Sequence, residues 1–349
     1  MLRGVILLAS ALAASADISS APAVSDAEYV RQHGLLLVSI SPGPGNPSAS
    51  DAIYSTHADG SGKTVVATDG GAPSWTPDGR IIFSSRRSGS QQIWIMDADG
   101  SYARQISNLS PNMLPVMAQM GKNGLIVFMG NDAMTEPDGN TGIWMMQNDG
   151  SGLQELTRGM QPFLALFGTW IVYTLQTDIP YHREIWRINT DGTNNKQLTF
   201  LGDDPDYPDA NAPSISPDET AVAFFSGKES DRALPGAPMQ SIFDWGHRNV
   251  AVVPAGGGAR RTLTPCAPVT TPAQLDATSD VTGNCVAADN PAWTPDSKWL
   301  IFDTGFKSGT ETWMVDINGQ NFQKFYPDSR GIVRVAMKFM PPRRRAVRR

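Results

Sequence analysis

Short apolar runs and tight polar turns alternate along nearly the whole chain, and one arrangement recurs at a fixed internal spacing. An apolar run carries an anchor residue, and a turn glycine follows six positions later. The pairs are Tyr54 and Gly60, Trp94 and Gly100, Trp144 and Gly150, Trp186 and Gly192, Ala251 and Gly257, and Trp313 and Gly319. Successive anchors lie 40, 50, 42, 65 and 62 residues apart. A constant offset with a variable repeat length describes one structural unit copied with loop insertions. Repeats of this size build propellers or solenoids.

Residues 70–107 show the unit most clearly. Pro73 to Pro77 reads as a short first strand, ended by the turn Pro77-Asp78-Gly79. Proline suits that turn by fixing φ and glycine by tolerating positive φ. Arg80–Phe83 reads as a second strand and Ile93–Met96 as a third. Asp97-Ala-Asp-Gly100 is a hairpin turn, and Ala103–Ile106 is an outer fourth strand. Four antiparallel strands in sequence order form a meander with two apolar faces. Arranged radially, each sheet covers its neighbour and leaves only short edges.

Copies follow downstream. Pro213-Ser-Ile-Ser-Pro-Asp218 and Pro291-Ala-Trp-Thr-Pro-Asp296 repeat the first strand and turn, so Asp78, Asp218 and Asp296 read as turn formers. Residues 70–327 hold five complete units. The N-terminal piece has three strands, at 35–40, 52–56 and 63–68, and lacks a first strand. Val333–Phe339 at the far end supplies one. The expected fold is all-β: a six-bladed β-propeller of four-stranded antiparallel blades, closed by a C-terminal strand joining the N-terminal blade. Closure of this kind removes two sheet edges.

The run from Pro73-Ser-Trp-Thr-Pro-Asp-Gly79 through Ile81-Ile-Phe-Ser-Ser85 to Ile93-Trp-Ile-Met-Asp-Ala-Asp-Gly100 resembles the PD40, or WD40-like, repeat of TolB-type propellers. The resemblance spans about residues 35–340 and implies the fold. As a guide to function it points several ways. The family includes periplasmic TolB proteins that bind protein partners, and it shades into peptidase-associated propellers and oligogalacturonate lyase-like enzymes. About 18 residues precede the first strand after the signal sequence, so the α/β domain of TolB is not expected here. The histidine-rich metal set of the lyases has no counterpart among four scattered histidines.

The two ends change the picture further. Met1-Leu-Arg3, the apolar run Gly4–Ala13 and Ala14-Ser-Ala16 read as an export signal, residues 1–16. That apolar run is shorter than the roughly 20 residues a membrane-spanning helix needs. Residues 17–34 form an N-terminal segment, 35–340 the propeller, and 341–349 a basic disordered tail. The protein is then secreted, or periplasmic in a Gram-negative cell. The formal charge is −6; without the five tail arginines and Arg3 the body carries −12. An acidic body argues against nucleic-acid binding. No membrane insertion is expected, and the monomer is the expected state. Cys266 and Cys285 are the only cysteines, and in an oxidising compartment they are expected to pair across a loop.

Candidate chemistry collects on one face. In a meander blade, the loops entering first strands and those joining second to third strands share a face, and all the long insertions belong to it. His182-Arg183 precedes the third strand of one unit, and His247-Arg248 precedes the equivalent strand of the next. Two imidazoles and two guanidiniums suit a carboxylate or sulfate. His182, His247 or Tyr181 would serve as a base. Arg86, Arg87 and Trp245 add binding groups to the same face. A strand-capping role on a wet rim is the simpler reading of the same residues. The acidic loop Asp203, Asp204, Asp206, Asp209 with Asn211 offers oxygen ligands to Ca²⁺, though it does not match an EF-hand; no other cofactor is implied. Met113, Met117, Met120 and Met129 read as core filler.

Two functions remain open at this level. One is a secreted recognition module binding an anionic glycan or a protein partner on the long-loop face. The other is a polysaccharide lyase acting on uronate-containing glycans, with arginines neutralising the carboxylate and a His or Tyr base.

Overall fold

Apolar residues in the central strands run continuously, as expected of strands buried on both faces. The computed structural model describes residues 35–40, 52–57, 62–130, 141–179, 182–204, 208–227, 249–264, 288–306, 309–326 and 332–337. Every regular element among them is a β-strand. The first sheet holds β1 (Leu35–Ile40), β2 (Ala52–His57) and β3 (Thr64–Ala67). The second is β4 (Gly71–Trp75), β5 (Ile81–Ser85), β6 (Gln92–Met96) and β7 (Arg104–Gln105). A seven-stranded sheet runs through β8 (Pro115–Met120), β9 (Leu125–Gly130), β10 (Thr141–Gln147), β11 (Gln154–Leu164), β12 (Trp170–Gln176), β13 (Arg183–Asn189) and β14 (Lys196–Gln197). Next come β15 (Asp209–Ile215), β16 (Ala221–Gly227), β17 (Asn249–Pro254) and β18 (Arg261–Thr262). The last sheet is β19 (Ala288–Trp293), β20 (Trp299–Phe306), β21 (Gly309–Asp316) and β22 (Gln323–Tyr326). Strand β23 (Ile332–Met337) returns to the first sheet and pairs antiparallel with β1, as the orphan C-terminal run suggested.

Alternation along each central strand divides its side chains between two cores. In β5, Ile81 and Phe83 pack with Ile53 and Ala67 of the sheet before. Ile82 packs with Ala118, Ile126 and Phe128 of the sheet after. In β16, Val222 and Phe224 join Trp170, Val172 and Ile185, while Ala223 joins Leu300 and Phe302. Fully burying one such Ile or Phe contributes about 1.5–3 kcal/mol. The anchor tryptophans Trp94, Trp144, Trp186 and Trp313 cover the edges of these cores, and Trp313 stacks on Phe322 with centroids 4.8 Å apart. First strands touch in a cycle: β4 with β8, β8 with β11, β11 with β15, β15 with β19, β19 with β23, and β23 with β4.

The turns follow from their residues. Thr76, Ser216 and Thr294 each donate a side-chain hydrogen bond to the aspartate two positions on, Asp78, Asp218 and Asp296. The same hydroxyls accept from the backbone N–H of Arg80, Ala221 and Trp299. These aspartates form turns, as expected. The turn glycine of the six-residue offset is left-handed wherever it is described, with φ of 87, 83, 82, 84 and 75° at Gly100, Gly150, Gly192, Gly257 and Gly319. At Gly100 a Cβ would also overlap the Val66 carbonyl oxygen.

Some expectations shift. The first strand of the clearest unit is Gly71–Trp75 rather than 73–77, because Thr76 already belongs to the turn. The second and third units are not separated into two sheets. Gln154 to Gly159 pair with β10, and Met160 to Leu164 pair with β12, so one strand serves both. No long insertion interrupts the chain here. Gly159, at φ 154°, passes so close to Tyr173 that a Cβ would lie 2.5 Å from its ring.

Candidate functional site

First strands carry a repeated defect. Each of β4, β8, β11, β15 and β19 shifts register against its neighbour, a bulge. At four of these bulges a residue other than glycine has positive φ: Ala72 (47°), Met117 (58°), Gln161 (51°) and Ala212 (48°). Such a conformation costs roughly 1–2 kcal/mol per residue. The bulges turn polar groups towards the neighbouring first strand, where they are bonded. Gln119 Nε2 donates to Pro162 O at 3.0 Å, and its Oε1 accepts from Leu164 N at 2.9 Å. Gln161 Oε1 accepts from Ala212 N at 3.0 Å, and Trp293 Nε1 donates to Ser214 O at 3.1 Å. Each such bond contributes about 0.5–1.5 kcal/mol net, which offsets much of the strain.

Around these bulges lies a cavity of about 210 Å³. Its walls are apolar and amide or hydroxyl in character, from Trp75, Met117, Gln161, Phe163 and Trp293 among others, and no charged side chain lines it among the described residues. Met117 is therefore a cavity wall; Met120 lines the cavity too but also packs, with Met113, against a core as expected.

A second repeated device stands where third strands begin. Gln92 accepts from the Ser107 hydroxyl at 2.7 Å, Glu184 from that of Thr199, and Asn249 from that of Thr264 at 2.9 Å. In each pair the residues are 15 positions apart. The same hydroxyl accepts the backbone N–H of Ile93, Ile185 or Val250. One Ser or Thr thus ties the fourth strand to the third twice. Sequence reading missed this clasp, although the constant spacing of 15 was there to find.

One clasp holds a carboxylate where the others hold an amide. His182 lies beside it, buried at 5% exposure, and both ring nitrogens are engaged. Nε2 is 2.8 Å from Glu184 Oε1 and Nδ1 is 2.9 Å from Asp209 Oδ1. Burial pushes the Glu184 carboxyl above its ordinary value, against the bonds from Thr199 and His182. Arg260 approaches the same carboxylates, and burial depresses its guanidinium despite Asp204, Asp203, Glu184 and Asp209.

The remaining candidates are dispersed. Arg183 donates to Gln176 and to Asn211, each at 3.3 Å, and joins the unit of β13 to β15. Arg87 pairs with Asp69 and lies over the rings of Phe83 and Trp94, at 5.1 and 4.8 Å. Arg86 Nε donates to Gln91 at 3.2 Å. Tyr181, Trp245, His247, Arg248, Cys266 and Cys285 lie outside the described residues, as do Asp206 and the two terminal segments. The described members of the acidic loop are taken up by protein groups: Asp203 accepts from Phe200 N, Asp204 pairs with Arg260 at 3.3 Å, Asp209 faces His182, and all three act on the Arg260 charge. Among the described residues no group of three or more His, Cys, Asp or Glu is placed to hold a metal ion.

Solved structures share this architecture. TolB from Acinetobacter baumannii is similar with a TM-score of 0.62 and 17% identity, over 87% of this chain and 66% of that one. A putative TolB from Agrobacterium tumefaciens gives 0.56 and 14%, over 86% and 90%. Hydrazine synthase from Kuenenia stuttgartiensis gives 0.58 and 14%, over 86% and 46%. The chain thus spans just under two thirds of the Acinetobacter protein and less than half of the hydrazine synthase chain. No protein-family model matches the sequence, and no curated protein does. The fold is that of a TolB-like β-propeller.

Proposed function

We propose that the chain is an exported, six-bladed recognition module that binds a protein or glycan ligand in its axial cavity, whose walls run to the tight turns at Thr76-Pro77 and Ser216-Pro217 rather than to the long-loop face. Six blades follow if β11 is counted once in each of the units it serves. The cycle of first-strand contacts and the pairing of β23 with β1 support a closed ring.

The observation that carries the binding reading is the cavity: a concave, uncharged space walled by strained first strands. Ligand pockets combine apolar walls with a few polar groups, as this one does. Arg183 stands at the other, long-loop end of the strands, bonded to Gln176 and Asn211, and is not among the cavity walls; with Arg248 it is the proposed cation pair for a ligand that meets that face instead. The lyase alternative draws less support. His182 has both nitrogens facing carboxylates, so a base would have to come from Tyr181 or His247.

Trp75 and Trp293 line the cavity, so intrinsic fluorescence reports occupancy. The test titrates the full chain with panels of peptides, neutral oligosaccharides and uronate oligosaccharides. Ser74→Phe should plug the cavity and weaken a binding member about tenfold, or about 1.4 kcal/mol, at unchanged melting temperature. Equal affinity in the folded variant would move the site elsewhere. Appearance of an unsaturated uronate product would replace binding by lyase chemistry.

A further inference from the structure

The clasp of β13 differs from its equivalents in charge, and the difference changes how many protons the fold requires. Gln92 satisfies its slot as a neutral amide, accepting from Ser107 and from Leu109 N while donating to Ser90 and Leu109 O. Asn249 likewise accepts as an amide. Glu184 brings a carboxylate into the same buried position, at 1% exposure.

His182 then stands between two carboxylates. A neutral imidazole has one N–H and one lone pair. It can donate to Glu184 or to Asp209, but its other nitrogen would then set a lone pair against carboxylate oxygen at less than 3 Å. Both contacts become hydrogen bonds only when the three groups share one proton more than a neutral imidazole and two carboxylates possess. That proton can reside on the second ring nitrogen or on a carboxyl. In a buried site the alternative is an unmet polar contact, which is costly.

The surrounding charges act in both directions. Asp203 and Asp204, on the segment ahead of β15, favour holding a proton. Arg260, ahead of β18, and Arg183, at the start of β13, favour losing it. Thr199 donates to the far oxygen of Glu184 in either state. Of these, Arg260 couples to Glu184, Asp209, Asp203 and Asp204 alike. Four carboxylates gather on the single guanidinium of Arg260, an excess of negative charge that favours the added proton.

The trio also spans a joint. His182 and Glu184 belong to the unit of β11–β14, and Asp209 opens β15 in the next sheet. We propose that His182, Glu184 and Asp209 form a buried proton-holding site that locks these two units together and loosens their contact when the proton leaves. The direction of the Glu184 shift agrees. A carboxyl raised in the folded chain contributes stability that is complete below its ordinary value of 4.5 and lost as pH rises through the folded value.

The test compares the full chain with Glu184→Gln, which copies the neutral slot of Gln92 and can donate to His182 without the extra proton. Denaturant unfolding is measured from pH 4.5 to about 8.5, a range bracketing the ordinary carboxyl and imidazole values. The folding constant of the parent relative to Glu184→Gln should fall as pH rises, by up to about tenfold per pH unit where the proton is lost. Hydrogen exchange at residues 183–185 and 209–211, corrected for its intrinsic pH dependence, should show protection declining with pH in the parent alone. His182→Gln should flatten both profiles as well; should it not fold, Glu184→Gln carries the comparison. A parent-to-variant ratio that stays constant across the range would overturn the proposal, as would protection at the joint that declines equally in both proteins.

Discussion

Tyr102 breaks the rule of its own turn. It follows Gly100 by two positions, and at the equivalent place other units have Gly152, Asn194 and Asn321. All four are left-handed, with φ of 52, 68, 55 and 53°. Glycine and asparagine accept this region readily, whereas a tyrosine there costs roughly 1–2 kcal/mol. Its ring recovers little by burial, being 86% exposed. Tyr102→Asn should therefore stabilise the protein by about 0.5–1 kcal/mol. Tyr102→Gly should gain less, because glycine also adds up to about 1 kcal/mol of freedom to the unfolded chain. The assay is reversible denaturant unfolding of parent, Asn and Gly variants at one pH, with slopes compared to exclude a changed unfolded state. The predicted order is Asn above Gly, and Gly at or just above the parent. A Tyr102→Asn protein less stable than the parent by 0.5 kcal/mol or more would refute the strain argument and give the ring a packing role.

Other expectations are as direct. Thr199→Val strips a donor from Glu184 and an acceptor from Ile185 N–H, and should cost about 2–4 kcal/mol in thermal unfolding. Ser107→Ala at the neutral clasp should cost about 1–2. Deleting residues 331–349, which removes β23, should lower the melting temperature sharply by exposing the edge of β1, whereas deleting 343–349 should leave it unchanged. On acidification, Asp78 and Asp218 lose stabilisation. Burial raises these carboxyls, but bonds from Arg80 and Thr76, and from Ser216 and Thr220, outweigh it and hold them below 3.8. Their contribution is present above that value and lost as pH falls through the lowered folded one, so Asp78→Asn should flatten the acid limb of the stability profile.

Much of the architecture was legible because it rests on short-range rules. Turn glycines need positive φ, Thr/Ser-Pro-Asp closes a hairpin, and apolar runs make two-sided strands. The C-terminal strand was legible because a three-stranded piece implied a partner. Other features depended on contacts across sequence distance. The bulges of first strands left only a faint trace, a proline after Ala72, Gln161 and Ala212. The merging of two units at β11 reflects the absence of an insertion, which leaves no motif. The His-Arg dipeptide was found by aligning repeats, but its reading as a wet rim did not anticipate that His182 is enclosed by Glu184 and Asp209. Asp209 is 27 residues away, and nothing local links them.

The repeat itself separates scaffold from departure. Where several units place the same residue class in the same geometry, the fold alone accounts for it: turn aspartates and clasp hydroxyls in three units each, turn glycines in five. A departure demands a different explanation in proportion to its cost. A carboxylate in a slot that elsewhere holds an amide is expensive when buried, and the expense is met from four elements at once. Thr199 donates from the fourth strand, His182 from the strand entry, Asp209 holds the imidazole from the next sheet, and Arg260 lends charge from beyond it. Thr199 belongs to the shared clasp, but drift at a single position would not assemble Glu184, His182 and Asp209, because each of these alone leaves a buried charge or an unmet lone pair. The grouping is therefore one device, placed at a joint between units, at the long-loop ends of β13 and β15. If binding and proton release are coupled through that joint, ligand affinity in the parent should change between pH 5 and 8 more than in Glu184→Gln, and identical pH profiles of affinity would leave the device a matter of stability alone.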